Sequence, residues 1–130
     1  MVLLPNGAIV ASFRLATGLV VASIEADGKS LTPGFGNGGR LTVDTAGRPT
    51  DLARQPDGKL LLNVYDSAAT ASVRRLNANG TADATFAKAG VFVDPRFRSR
   101  RVALQKDGRI IVMGQGTTGF NNMTLVRLWN

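Results

Sequence analysis

Short apolar runs alternate with turn residues along this chain, and no segment sustains a helical period. Leu60 to Val64 and Ile110 to Met113 are nearly continuous in apolar character, whereas Ser72 to Leu76 and Thr124 to Leu128 alternate. A continuous run of about four to eight such residues predicts a strand buried on both faces, and alternation predicts one with a single buried face. Further short strands are predicted at Asp51 to Gln55, Val102 to Gln105, Leu41 to Val43 and Val91 to Val93. Gly and Pro interrupt the chain too often for a long helix. The pattern predicts an all-β protein.

Five Asx-Gly pairs punctuate these strands: Asn6-Gly7, Asp27-Gly28, Asp57-Gly58, Asn79-Gly80 and Asp107-Gly108. Such a pair between strands predicts a type I′ hairpin, which needs positive φ at both central residues. From glycine to glycine the steps are 21, 30, 22 and 28 residues. Gly7, Gly58 and Gly108 are therefore one turn recurring at 51 and 50, and Gly28 and Gly80 a second recurring at 52. Neighbouring residues agree in kind: Leu4-Pro5-Asn6-Gly7-Ala8-Ile9-Val10 aligns with the segments starting at Gln55 and Gln105, and Ile24 to Gly28 aligns with Leu76 to Gly80. Four antiparallel strands in a unit of roughly 40 to 50 residues match a β-propeller blade. A single β-sandwich also spaces strands evenly, but gives no reason for the same turn residues to return. The expected architecture is an incomplete propeller of about 2.5 four-stranded blades: 1–49 with a truncated first strand, 50–100, and 101–130 without its fourth strand.

The string Gln55 to Leu62, then Arg75-Leu76-Asn77-Ala78-Asn79-Gly80-Thr81 and Thr85-Phe86, resembles the delta-60 repeat family of bacterial β-propellers. That likeness spans nearly the whole chain and is most specific in the central copy. Lys106 stands where the family has proline and Ala87 where it has glycine after the phenylalanine. The resemblance implies a propeller repeat of a long, secreted or surface-attached bacterial protein, with no generally assigned catalytic residues.

The 130 residues include no Cys and no His, so thiolate nucleophiles, disulfides, imidazole metal ligands and a Ser-His-Asp triad are excluded. Nine acidic residues, with Glu25 the single glutamate, leave carboxylate chemistry as the remaining catalytic route. A carboxylate glycosidase would use Asp44, Asp66 or Asp94 near strand ends, and it needs a pair about 5 to 9.5 Å apart in one pocket. Calcium at the Asx-Gly turns is disfavoured, because each turn supplies one acid at most and the ion wants about six to eight oxygens. Gly34 to Gly39 lies between strands with no helix N-terminus after it, and so reads as a connection rather than a nucleotide loop. No catalytic residue, metal or cofactor is expected.

The formal charge is +7, and 12 of the 16 cations are arginine. Arg96, Arg98, Arg100 and Arg101 surround Phe97, and arginine favours bidentate contact with carboxylate, sulfate or phosphate. This segment is expected to be a connection between blades, either a solvated loop that aids solubility or a polyanion or glycan contact. Nucleic acid is a weaker candidate, since one Tyr and one Trp make no recurring stacking platform. In an up-and-down blade all five Asx-Gly turns share one end. The other end then collects Phe13 to Gly18, Tyr65 to Thr70 and Gln115 to Asn122 with the arginine segment, and binding is expected there.

No run of about 18 apolar residues suggests a membrane span, and the first residues lack the basic region of a signal peptide. Fewer than three units with apolar blade faces imply a partner: neighbouring blades of a longer chain, which the mid-blade start and stop favour, or copies assembling into a ring. The expected role is a non-enzymatic binding or structural scaffold.

Overall fold

The computed structural model describes residues 1–43, 47–65, 70–117 and 122–129. Among the described residues eleven strands form: β1 (Val2–Leu3), β2 (Ile9–Leu15), β3 (Gly18–Ile24), β4 (Arg40–Val43), β5 (Arg48–Arg54), β6 (Leu60–Tyr65), β7 (Ala71–Leu76), β8 (Val91–Asp94), β9 (Phe97–Leu104), β10 (Ile110–Gly116) and β11 (Met123–Leu128). They make three antiparallel sheets in simple up-and-down order, β1 to β4, β5 to β8 and β9 to β11. No helix forms among the described residues. The protein is all-β, an incomplete propeller with blades of four, four and three strands. The second sheet starts at Arg48 and the third at Phe97, so Arg48, Pro49 and Phe97 to Arg100 sit in the sheet that follows rather than the one before.

Sheets stack through apolar side chains, and β6 shows why its sequence is continuously apolar. Leu60, Leu62 and Val64 pack with Val10, Leu19, Val21, Phe35 and Leu76 in the core between the first two blades. Leu61, one residue out of phase, packs with Val73, Phe97, Val102, Ile110 and Val112 in the core between the second and third. Alternate residues of a strand face opposite ways, so a blade sandwiched between two others must be apolar on both faces. The first strands contact one another, β1 with β5 and β5 with β9, and form the inner row; β4 and β8 end their sheets on the outside.

The hairpins are not type I′. Each of Gly7, Gly28, Gly58, Gly80 and Gly108 has φ between 71° and 90°, yet none of the preceding Asx residues has positive φ. The Gly58 N–H instead bonds to Gln55 O (3.0 Å) and the Gln55 N–H to Lys59 O (2.8 Å), with equivalent bonds at Gly7 and Gly108. This is a three-residue loop, a type I turn closed by a glycine bulge, which suits Pro5 and Pro56 at the first turn position. Asx serves by accepting a hydrogen bond: its Oδ1 takes the N–H two residues on at Ala8, Lys29, Lys59, Thr81 and Arg109, over 2.9 to 3.2 Å.

Two loop expectations are corrected. Phe13, Arg14 and Leu15 belong to β2, and only Ala16 and Thr17 separate it from β3, with Leu15 paired to Gly18. Arg98 to Arg101 are not a connection but the first half of β9. Their charges read as a loop, but the strand tolerates them because it alternates Phe97 and Ser99, both buried, with exposed arginines.

Candidate functional site

All five Asx-Gly turns close strand pairs at one end of the stack, so the opposite end takes the remaining connections and the passages from sheet to sheet. That end is rich in arginine. Arg14 is the last residue but one of β2, Arg48 opens β5, Arg96 sits in the turn before β9, and Arg98, Arg100 and Arg101 follow in β9; all six are exposed.

Arg96 is committed within the chain. Its Nε donates to Asp94 Oδ1 (2.9 Å) and its Nη2 to Oδ2 (2.6 Å), while its backbone N–H also bonds Oδ1 at 2.9 Å. The Arg96 guanidinium holds the buried Asp94 carboxyl below its usual pKa, and the carboxylate raises that of Arg96 in turn. This bidentate fork locks the turn and spends both charges.

The remaining arginines are positioned by a bulge. Between Met113 and Gly114 the register against β9 slips, so that Arg100 is the unpaired extra residue. Bulged residues break alternation, which leaves both Arg100 and Arg101 exposed between buried Ser99 and Val102. Ser99 Oγ donates to Val64 O (3.1 Å) and the Val102 N–H to Asp51 Oδ2 (3.0 Å), fixing the bulged strand on the second blade. Arg100 lies over the Tyr65 ring at 5.8 Å, and Arg101 Nη1 donates to Thr50 O at 3.4 Å. The bulge recurs in β5 at Thr50, between Pro49 and Asp51. Arg14 Nη1 donates to Gly47 O (2.7 Å), tying the first blade to the second. Among the described residues, Arg14, Arg48, Arg98, Arg100 and Arg101 form no ion pair.

Sequence reading missed Arg14 and Arg48, though a signal existed. Arg48 precedes Gly58 by 10 residues and Arg98 precedes Gly108 by 10, so the two occupy equivalent positions. Of the glycosidase candidates, Asp94 is neutralised by Arg96, and Asp44 and Asp66 lie outside the described residues. No group of three or more potential metal-ligating acids, His or Cys occurs among the described residues.

A second polar cluster sits at the turn end, inside the second blade. Arg75 Nε donates to Asp83 Oδ2 (2.7 Å), Lys59 Nζ reaches the same oxygen (2.8 Å), and Thr85 Oγ1 bonds Oδ1 at 2.6 Å. Arg75 also stacks on Phe86, 4.8 Å from the ring centre. Bonds from Lys59 and Thr85, with the Arg75 charge, hold the Asp83 carboxyl far below the ordinary carboxylate range. Every group in this cluster faces another, which makes it a brace between the two hairpins of the blade.

A family model described as a β-propeller domain of unknown function, DUF5122, matches residues 55–86. No curated protein and no solved structure matches the chain. The matched span runs from the Asp57-Gly58 hairpin through β6 and β7 to Phe86, and so contains the brace and one copy of each turn. The chain thus carries a β-propeller repeat, and the arginines of β9 lie outside the matched residues.

Proposed function

We propose that this chain is a non-enzymatic propeller scaffold of the delta-60 type, part of a secreted or surface bacterial protein, that binds a polyanion through its arginine-rich end. One observation carries the reading: five exposed arginines with no ion pair among the described residues gather at the end opposite the turns, on or beside the inner strands. Propellers present ligands at the mouths of their axis, and irregular connections on a rigid scaffold are where binding concentrates. The planar guanidinium suits sulfate and carboxylate groups of an acidic polysaccharide. Nucleic acid is the poorer fit, since Tyr65 is the single described aromatic stacked with these arginines.

Heparin affinity chromatography tests this. The triple variant Arg98→Ala, Arg100→Ala, Arg101→Ala is expected to elute at clearly lower salt, because each lost contact reduces a screened electrostatic attraction. Arg96→Ala is expected to change retention less, its charge being spent on Asp94. Unchanged retention of the triple variant overturns the proposal.

A further inference from the structure

A cleft of about 240 Å³ opens between the outer strands of the first two blades, away from the arginine-rich end. Leu41 and Val43 of β4 form one wall, and Arg74, Leu76 and Val91 the other. The repeat shows what is unusual here. Arg74 pairs with Leu62 in β6, Val126 pairs with Val112 at the same place in the third blade, and Ala22 pairs with Ala11 in the first. Two copies therefore carry a small or apolar residue where the second carries a cation. Val126 packs into the core between the second and third blades. Arg74 stands at the matching position of the interface between the first and second.

The Arg74 Nε is buried and has no hydrogen-bond partner among the described residues. Its neighbour Arg75 also lines the cleft, but that guanidinium is bonded to Asp83. A buried charged donor left unsatisfied is costly, so this position favours an acceptor arriving from outside. Aliphatic walls around one guanidinium suit a planar anionic head with a hydrocarbon body. The volume lies below the roughly 300–1,000 Å³ of drug-sized pockets, which limits the ligand to a small molecule. We infer that this cleft binds a small aliphatic monocarboxylate, with the carboxylate on the Arg74 guanidinium and the chain against Leu41, Val43 and Val91. The inference is independent of the polyanion reading, since it uses other residues on another part of the surface.

Titration of the full chain with hexanoate, followed by the methyl NMR signals of Leu41, Val43 and Val91, tests it. Saturable shifts are expected with hexanoate, and binding of hexanamide is expected to be roughly tenfold weaker or more, the scale of one charge-assisted bond. Arg74→Val, which copies the third blade, is expected to abolish the shifts, whereas Arg98→Ala leaves them intact. N-acetylglycyl-leucine with a free or an amidated terminus separates sources: tighter binding of the free-acid peptide than of hexanoate assigns the site to peptide chain ends, and the reverse order to free acids. Equal shifts with hexanoate and hexanamide, or none that saturate with hexanoate, overturn the proposal even if Arg74→Val does not fold. Full hexanoate binding by a folded Arg74→Val chain overturns it as well.

Discussion

Lys59, Arg75 and Thr85 converge on the Asp83 carboxylate, and the resulting depression of its pKa makes stability depend on pH. In the unfolded chain the group titrates near its ordinary value of 3.8, and in the folded protein well below it. The unfolded state therefore takes up the proton first as pH falls. The stabilisation is complete above about pH 5 and declines progressively as pH drops through 3.8 and below. Asp94, depressed by Arg96, adds to the same slope. Asp83→Asn is expected to be less stable at pH 7 and to show a flatter loss between pH 5 and pH 2, measured by urea denaturation across that range. Two glycines separate backbone strain from packing. Gly28 has φ of 71° with open space where a Cβ would stand, whereas at Gly80 (φ 83°) a Cβ would meet the Phe35 ring at 2.8 Å. Gly28→Ala should cost about 1 kcal/mol, for the left-handed conformation alone. Gly80→Ala should cost about 2–4 kcal/mol, because Phe35 belongs to the core between blades and has to move. Thermal melts of the two variants check the order.

Strands β5 and β9 share a bulge at equivalent places, and in β9 it exposes two successive residues, Arg100 and Arg101, instead of alternating. Bulges increase local twist and re-aim side chains, and here Arg100 and Arg101 reach Tyr65 and Thr50 of the second blade. The bond from the Val102 N–H to Asp51 Oδ2 joins the two bulged strands. Asp51→Ala is expected to cost about 1–3 kcal/mol, since the donor becomes a half-buried orphan. Hydrogen exchange should localise the effect, with faster exchange at Val102 and its neighbours in the third blade than in the first. The strand itself was not legible from Phe97 to Arg101. A run of charges mimics a loop when read by polarity, and a bulge removes the alternation that would have betrayed a strand. By contrast, β6 could be read from its residues alone, because burial on both faces demands Leu60 to Val64 as a block.

Each free blade face is the counterpart of one face of the middle blade. On the first blade, Ile9, Ala11 and Phe13 occupy the register of Leu60, Leu62 and Val64; on the third, Ile111 and Leu125 match Leu61 and Val73. Leu3 and Phe13 on one side, and Met123 and Leu125 on the other, are exposed. The two faces are therefore of complementary kind, head to tail, and a neighbouring blade from the same or another chain fits each. Isolated chains are expected to associate with rising concentration in size-exclusion chromatography with light scattering. Phe13→Lys or Leu125→Lys should each weaken that association, as charge on an open sheet face opposes stacking. A clean monomer at all concentrations counts against assembly between copies and leaves neighbouring blades of one chain.

Residue order alone determined most of the strands, their up-and-down sequence and the blade period, because alternation, apolar blocks and Asx-Gly turns are local signals that recur about every 50 residues. It also placed all five turns at one end. Tertiary structure decided the rest. Turn type depended on hydrogen bonds across each hairpin, and the pairing of Arg96 with Asp94 depended on the path of one turn. Arg14 and Arg48 join Arg98 only once separate sheets are stacked. Arg74, a cation at an interface position that is small or apolar in both other copies, lines a cleft only once two blades face each other.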